Sequence, residues 1–332
     1  MTTASAPGKI ILFGEHAVVY GRPALAIPVT QVHADVEVSD SARPGIWIHA
    51  PDVNLHAELN TLPSDHPLAS VIHNFLFLFP HLNPSPSGRG AGGEGRFPNL
   101  EIKISSTIPV ASGLGSGAAV TVALTRALSA FLARPMTDEE INAFAYEIEK
   151  LHHGTPSGID NTVVTYARPV YFVKQSTSPF ERGSRGERIE TFRVGTPFTI
   201  VIGDTGISAP TKESVGDVRK LWEADKTKWD IVFDRVGRIT EEARKNIESG
   251  KWEMLGELMD QNHRLLQEMT VSSPELDRLV SAARRAGALG AKLSGGGRGG
   301  NMIALVNVNL AESVARSMLE AGADRIIITQ VS

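Results

Sequence analysis

The chain of 332 residues contains no cysteine. Disulfide bonds, catalytic thiolates and metal sites built from cysteine are therefore excluded. No run of about 18 apolar residues is present, which is the length that a membrane-spanning helix needs. Residues 1–6 also lack the basic and then apolar pattern that opens a secretory signal. These absences together predict a cytoplasmic protein.

An excess of positive charge is missing as well. Lysine and arginine number 33 against 37 aspartate and glutamate residues, which leaves a formal net charge of -4. Such a balance argues against a nucleic-acid-binding protein, which usually carries a basic surface. The content of 42% hydrophobic and 21% charged residues is typical of a globular protein with a large core. At this length we expect one large domain or two closely joined ones.

Strand and helix patterns interleave along the chain without an internal repeat. The early strands alternate apolar and polar residues, as antiparallel strands do, and this favours an α+β fold over a doubly wound parallel sheet. Residues 83–97 are interpreted as an exposed loop, and residues 175–188 as a polar loop close to a domain boundary. The predicted strands are 9–13, 29–38, 100–104, 169–173, 198–202, 302–306 and 325–329. The predicted helices are 68–78, 118–132, 137–152, 212–224, 229–249, 252–269, 273–286 and one from residue 311.

Three segments spread along the chain carry most of the chemical signal. Residues 6–21 contain Lys9 and the pair Glu15-His16 among small and apolar neighbours. Residues 109–119 read PVASGLGSGAA, and residues 292–300 read KLSGGGRGG. Glycine clusters let backbone N–H groups approach an anion closely, so phosphate is the candidate ligand.

The central segment follows a predicted strand and opens a predicted helix. Its N–H groups and the helix dipole could therefore hold phosphate oxygens. It is not a Walker-type loop, because no Gly-Lys-Ser/Thr ends it. The dinucleotide fingerprint fits only in a relaxed form, and the acidic residues at about the required distance, 138–140, begin a helix instead of ending a strand. A tight strand-to-helix turn remains the alternative to phosphate binding.

The third segment has glycine at every position from 295 to 300 except Arg298. Largely apolar stretches flank it on both sides, which is more typical of a site of close approach than of a flexible linker.

The first segment is also set among apolar residues, and a buried charge needs a partner. We therefore expect Lys9 to pair with a carboxylate from elsewhere in the chain.

Two acidic residues are the candidate functional carboxylates. Glu149 lies near the end of a predicted helix, where the helix dipole disfavours a negative charge. Asp160 follows a Pro-Ser-Gly turn. The alternative for both is an ordinary solvated side chain.

Taken in order, the segments 6–21, 109–119, 153–161 and 292–300 resemble the motifs of the GHMP small-molecule kinases. PGKIILFGEHAVVYG and GTPSGIDN are most similar to the members that phosphorylate mevalonate. The resemblance implies a two-domain α+β fold, with an N-terminal ribosomal-protein-like domain at 1–185 and a C-terminal ferredoxin-like domain at 186–332. It places the active site in the cleft between the domains. The implied activity is ATP-dependent phosphorylation of the terminal hydroxyl of mevalonate to 5-phosphomevalonate, a step of isoprenoid precursor synthesis.

The resemblance also implies roles for individual residues. Asp160 would be the catalytic carboxylate, and Lys9 would counter the charge that develops at the substrate hydroxyl. Glu149 and Ser116 would bind Mg²⁺. The implied contacts with mevalonate are Glu15, His16, Thr211 and Gly296. The implied contacts with ATP are Pro109, Ser112, Gly113, Leu114, Gly115, Ser116, Gly117 and Ala118. A homodimer is one expected assembly, and neither nucleic acid nor a membrane is an expected partner.

Two positions depart from the pattern of this family, and two alternative functions stay open. The family commonly has a magnesium-binding serine where Gly117 stands, so Ser116 or water would have to replace it. It commonly has glycine where Arg298 stands, and this arginine could contact phosphate or point to solvent. The alternatives are another GHMP kinase, such as phosphomevalonate or homoserine kinase, and a non-catalytic metabolite sensor on the same fold. The presence of Lys9, Glu149 and Asp160 together disfavours the sensor.

Overall fold

The computed structural model describes residues 1–78, 99–109, 112–153, 157–174, 187–208 and 211–332. The chain divides into two compact units that are interleaved in sequence. The first unit comprises Met1–Pro7, Val32–Ile108 and Ser116–Tyr166. The second unit comprises Gly8–Gln31, Pro109–Gly115 and Ala167–Ser332. The proposed boundary at 185/186 and the predicted loop 83–97 both lie outside the described residues.

Both units contain strands and helices. The strands are β1 (Thr2–Phe13), β2 (Pro23–Asp40), β3 (Ile46–Ala50), β4 (Leu55–Glu58), β5 (Leu100–Ser106), β6 (Val170–Lys174), β7 (Glu187–Thr191), β8 (Phe198–Asp204), β9 (Gly290–Ser294), β10 (Asn301–Val306) and β11 (Arg325–Val331). The helices are α1 (Pro67–Phe77), α2 (Ser116–Phe131), α3 (Asp138–His153), α4 (Ile159–Tyr166), α5 (Thr211–Ala224), α6 (Lys226–Glu248), α7 (Leu255–Glu268), α8 (Pro274–Arg285) and α9 (Ala311–Glu320). Within the described ranges, every helix is too short or too polar to cross a membrane.

The larger sheet has seven strands in the order β4-β3-β5-β2-β6-β7, and β1 also pairs with β2. The pair β3–β5 is parallel, whereas β4 and β2 join their neighbours in antiparallel fashion. In β2 the residues Ala34, Val36 and Val38 are buried, and the polar residues between them are more exposed. This alternation confirms the predicted strand, because successive side chains of a strand point to opposite faces.

The helices α2, α3 and α4 of the first unit pack on one another. The predicted capping box at the start of α3 is confirmed, since the Thr137 N–H donates to the Glu140 carboxylate at 2.8 Å and the Glu140 N–H donates to Thr137 Oγ1 at 3.3 Å. Arg126 of α2 donates to Asp138 at 2.7 Å and to the Thr165 carbonyl of α4 at 2.6 Å. This guanidinium therefore ties three helices together.

The second unit contains an antiparallel sheet with the strand order β11-β8-β10-β9. In chain order these strands are the fourth, first, third and second of the sheet. Helices connect the first strand to the second and the third to the fourth. This is the ferredoxin-like arrangement, and it confirms the predicted C-terminal fold. All residues of β9 and β10 are buried, so this sheet forms a core of the unit.

Five elements were not predicted from the sequence: β3, β4, β7, β9 and α4. The loop interpretation of 175–188 is wrong for residues 187 and 188, which begin β7. Charged residues suit this strand, because among the described strands β7 pairs with β6 alone, at one edge of the seven-stranded sheet. The helix α4 begins inside the predicted glycine turn and has only eight residues, too few to show a helical period.

Candidate functional site

The predicted site residues are distributed over the two units. Those in the first unit are Ser116, Gly117, Ala118, Glu149 and Asp160. Those in the second unit are Lys9, Glu15, His16, Pro109, Ser112, Gly113, Leu114, Gly115, Thr211 and Gly296.

The N-terminus of α2 forms one part of the candidate site. Ser116 is the first residue of this 16-residue helix and is half-buried, whereas Gly117 is exposed. A β-carbon added at Gly117 would meet no atom within 4 Å. The first N–H groups of a helix have no partner inside the helix and carry the positive end of its dipole, so this terminus can receive an anion.

Asp160 lies in the first turn of α4, where the helix dipole favours a carboxylate. The backbone beside it is anchored by two side chains. Asn161 donates through Nδ2 to Asn142 Oδ1 of α3 at 2.7 Å, and Thr162 donates through its hydroxyl to the Gly158 carbonyl at 2.7 Å. Glu149 stands two turns beyond Asn142 on α3 and is half-buried. Both candidate carboxylates therefore lie on helices that pack against each other.

In the second unit, Lys9 packs directly on the central glycine segment. Its N–H donates to the Leu114 carbonyl at 2.9 Å, and its side chain is 5% exposed. Gly115 has φ 75°, and a β-carbon there would come within 2.8 Å of Lys9 Cγ. Glycine is thus required both by the left-handed backbone and by the close approach of Lys9.

Asn301 joins the central segment to the end of the third one. This residue opens β10, is 3% exposed, and donates through Nδ2 to the Ser112 carbonyl. The Ser112 hydroxyl donates in turn to the Pro109 carbonyl at 2.9 Å. Asn301 was not singled out from the sequence. The feature of the sequence that could have indicated Asn301 is its place as a polar residue between a glycine run and an apolar strand.

The third segment is packed tightly against its neighbours. A β-carbon at Gly296 would lie 2.9 Å from Thr211 Oγ1, and one at Gly297 would lie 1.9 Å from the Val271 carbonyl oxygen. The Arg298 N–H donates to the same carbonyl at 2.8 Å. These contacts confirm the interpretation of the segment as a site of close approach instead of a flexible linker.

The Arg298 side chain contacts Asp217, which is outside the set of candidate residues. Its Nη1 donates to Asp217 Oδ2 of α5 at 2.6 Å, and about a third of the side chain is exposed. The backbone of Arg298 has φ 60°, a region that L-residues seldom adopt. The pair with Asp217 therefore links the third segment to α5.

Glu15 and His16 form a tight turn after β1. His16 has φ 60° and ψ −48°, and the Ala17 N–H donates to the Glu15 carbonyl at 2.6 Å. This is a γ-turn with positive φ, which is rare and strained and persists only where the surroundings hold it. His16 Nε2 lies 3.1 Å from the Gly296 carbonyl oxygen, which holds the imidazole against the third segment.

The buried charge of the turn is paired with Lys292 of β9. Lys292 Nζ donates to Glu15 Oε1, and the two side chains are 0% and 1% exposed. We expected a buried lysine to pair with a distant carboxylate, and named Lys9 for it. Lys292 opens the third segment and was not predicted to have this role. Its position among apolar residues nevertheless indicates a buried charge that needs a partner.

Two acceptors of this turn lack partners among the described residues. They are Glu15 Oε2 and His16 Nδ1, and both are buried. Burial lowers the pKa of His16 to about 4, so the imidazole is neutral near pH 7. Its proton lies on Nε2, because the Gly296 carbonyl can only accept, and Nδ1 is left as an acceptor. Buried polar atoms usually have partners, so these two atoms can accept hydrogen bonds that the described residues do not supply.

Comparison with protein families gives two matches along the chain. Residues 86–168 match the model described as the GHMP kinases N terminal domain. Residues 243–324 match the model described as GHMP kinases C terminal.

Comparison with individual proteins gives similarity over the full length. A mevalonate kinase of Thermococcus sibiricus is 35% identical over 345 residues, which cover 99% of this chain and 96% of that protein. A mevalonate kinase of Pyrococcus furiosus is 36% identical over 348 residues, which cover 99% and 96%. The crystal structure of L. major mevalonate kinase in complex with R-mevalonate is 29% identical with a TM-score of 0.80, and the match covers 100% of this chain and 96% of that one.

Proposed function

Because this chain belongs to the GHMP kinase family, we propose that it transfers the γ-phosphoryl group of ATP to the terminal hydroxyl of mevalonate. The products are ADP and 5-phosphomevalonate, and the enzyme is a transferase of isoprenoid precursor synthesis. The observation that carries the proposal is the full-length similarity to mevalonate kinases at 35–36% identity.

In this reaction the hydroxyl oxygen of mevalonate forms a bond to the γ-phosphorus of ATP. The bond from that phosphorus to the β–γ bridging oxygen breaks, and ADP leaves. Phosphoryl transfer of this kind passes through a loose transition state, so the protein contributes mainly by positioning the reactants and neutralising charge.

We assign the steps to residues one at a time. Asp160 accepts or orients the proton that leaves the hydroxyl group, and Lys9 counters the negative charge that develops there. The N–H groups of the segment 112–118 bind the phosphates of ATP. Glu15 and His16 contact mevalonate, together with Thr211 and Gly296. The packing of Lys9 on Gly115 supports this division, because it places a cation on the proposed phosphate-binding segment.

Magnesium fits the oxygen donors that these residues offer. Glu149 would supply a carboxylate and Ser116 a hydroxyl group, both of the kind that Mg²⁺ prefers. In the part of the chain that the structure describes, no group of three or more His, Cys, Asp or Glu side chains could hold a metal ion. The phosphates of ATP would therefore complete the ligand set. When bound, the ion neutralises phosphate charge during transfer.

The first test is the variant Asp160→Asn. It preserves the size of the side chain and one acceptor oxygen, but its amide nitrogen donates hydrogen bonds and the group cannot accept the hydroxyl proton. We expect turnover to fall by about a hundredfold or more, the scale of general-base catalysis, while a fluorescent ATP analogue still binds. Asn142→Ala, which weakens the anchor of Asn161 beside Asp160, serves as the comparison and should retain more activity. Near-normal turnover of Asp160→Asn would remove Asp160 from the catalytic role.

The substrate is tested by coupled ADP release with mevalonate, phosphomevalonate, homoserine and galactose. Mevalonate should give the highest kcat/KM. A higher value with another alcohol would identify a different GHMP kinase activity. ATP binding without ADP release from any of them would instead favour a metabolite sensor.

Two expectations about the cellular form of the enzyme complete the proposal. We propose a cytoplasmic homodimer. Light scattering of the purified protein, with a mass twice the 35.7 kDa of the chain, would support the dimer. Fractionation of the source cells tests the location.

A further inference from the structure

Lys292 is completely enclosed in the second unit. It is the middle residue of β9, and its exposed fraction is 0%. Its Nζ donates to Glu15 Oε1 and, at 2.6 Å, to the Leu293 carbonyl, and it lies 5.9 Å from the centre of the Phe13 ring. An enclosed ammonium group is costly to bury unless it is paired and hydrogen-bonded. The fold has therefore enclosed the ammonium group of Lys292 beside Glu15.

The charge of Glu15 depends on this partner. Burial raises the pKa of the Glu15 carboxyl, and the Lys292 ammonium is the strongest influence in the opposite direction. Burial likewise lowers the pKa of Lys292, and Glu15 opposes that change, so each charge of the pair depends on the other. The N–H groups of Glu15 itself and of Gly295 act in the same direction as Lys292, with smaller effects. Removal of Lys292 would leave a buried carboxyl group with weak support for its ionised form.

The other charged and titratable groups around the pair cannot replace Lys292. His16 is next to Glu15 and is neutral near pH 7, as described above. Arg298 acts on His16, but its guanidinium is paired with Asp217. His263 contacts the backbone of β9 through the Leu293 N–H at 3.3 Å, and burial lowers its pKa to about 4, so it is neutral as well.

The two oxygens of the Glu15 carboxyl group differ in their surroundings. Oε1 accepts from Lys292, whereas Oε2 is buried and has no hydrogen-bond partner in the described part of the chain. An ionised carboxylate can only accept hydrogen bonds, so Oε2 suits an O–H donor. It repels a carboxylate, which excludes the acid group of mevalonate from this position and leaves its hydroxyl groups.

We infer that Lys292 is a positioning residue of the mevalonate site: it engages Glu15 Oε1 and keeps Glu15 ionised, so that Oε2 accepts a hydrogen bond from a substrate hydroxyl. The inference rests on the proposed function, since it concerns the same substrate. Lys292 acts through Glu15 and the strained turn that carries it, and touches no substrate atom itself.

The test compares the wild type with Lys292→Met, Lys292→Arg and the double variant Lys292→Met/Glu15→Gln in an ADP-release assay between pH 5.5 and 9. In Lys292→Met we expect KM for mevalonate at pH 6.5 to rise by about tenfold or more, the effect of losing a hydrogen bond to a charged group. KM for ATP should change much less. The rise should diminish towards high pH, because Glu15 ionises there without Lys292. Lys292→Arg should keep the wild-type pH profile.

The double variant distinguishes a positioning role of Lys292 from a role in protein stability alone. Its glutamine does not titrate, so mevalonate binding should be weak and independent of pH, whereas a folding defect would affect both substrates in every variant. A Lys292→Met profile that coincides with that of the wild type would overturn the inference. If Lys292→Met does not fold, Lys292→Gln replaces it, because glutamine keeps a hydrogen-bond donor without the charge. A pH-dependent rise in KM for mevalonate would then support the inference, and a profile that coincides with the wild type would overturn it. A wild-type enzyme that is inactive on mevalonate but active on another alcohol would instead refute the proposed function.

Discussion

Position 117 shows how a single residue can alter a proposed metal site. The GHMP kinase pattern has a serine there, and this chain has an exposed glycine in the first turn of α2. Because a β-carbon at this position meets no atom within 4 Å, the structure has room for the missing side chain. The glycine removes a candidate oxygen ligand without any visible gain in packing.

We therefore predict that Gly117→Ser folds normally and binds magnesium more tightly during turnover. The added hydroxyl group supplies one more oxygen ligand of the kind that Mg²⁺ prefers. The concentration of Mg²⁺ that gives half-maximal ADP release should fall, by about threefold or more. Gly117→Ala is the matched control, since it adds the β-carbon without the oxygen. Equal Mg²⁺ dependence of the two variants would contradict a ligand role for residue 117.

At the scale of elements, the third glycine segment is attached to α5 at two places. Gly296 lies against Thr211 at the start of the helix, and Arg298 pairs with Asp217 about two turns later. The glycines permit close contact, but they also leave the backbone free to move when contacts are lost. The ion pair can be removed by a substitution on α5, which leaves the segment itself unaltered.

We predict that Asp217→Asn loosens residues 295–300 without unfolding the protein. A partly exposed pair contributes little to stability, so the free energy of unfolding should hardly change. Amide hydrogen exchange of the segment should become faster, by about threefold or more. Lys220 also pairs with Asp217, at 2.8 Å, so Lys220→Met tests whether the effect belongs to Arg298. Unchanged exchange in Asp217→Asn would show that the glycine contacts alone hold the segment.

At the scale of the whole molecule, two buried histidines link stability to pH. Burial lowers the pKa of both His16 and His263 from 6.5 to about 4, although Asp277, 3.1 Å from His263 Nε2, acts in the opposite direction. In the unfolded chain these imidazoles would bind protons near pH 6.5, whereas in the folded protein they bind them only near pH 4. The unfolded state is thus favoured by proton uptake within this window.

We predict that the free energy of unfolding is greatest above pH 6.5 and decreases as the pH falls towards 4. A pKa difference of this size corresponds to about 3 kcal/mol for each histidine. His263→Gln should show a shallower decrease in urea unfolding measured across this range. His73→Gln, at an exposed position on α1, is the control and should follow the wild type. A slope that does not change in His263→Gln would contradict the assignment.

Much of the fold followed from local patterns. The alternation in β2, the capping box at Thr137 and the run 118–132, which is rich in Ala, Val and Leu and has no helix breaker, each predicted an element that the structure contains. Such signals depend on neighbours a few residues apart, which the sequence displays directly. The short elements β9 and α4 were missed, because a buried lysine and a length of eight residues hide their periods.

The sequence by itself determined the α+β class, the family and the candidate residues, since these depend on local pattern and on the order of four motifs. Only the tertiary structure decided which charges meet. Glu15 and Lys292 are 277 positions apart, and Ser112 and Asn301 are 189 apart. Nothing in local spacing selects such partners, because the choice follows from the cost of burying a charge or an amide without a hydrogen bond. The strained turn at His16 persists for the same reason, since contacts from the third segment and from β9 hold it in place.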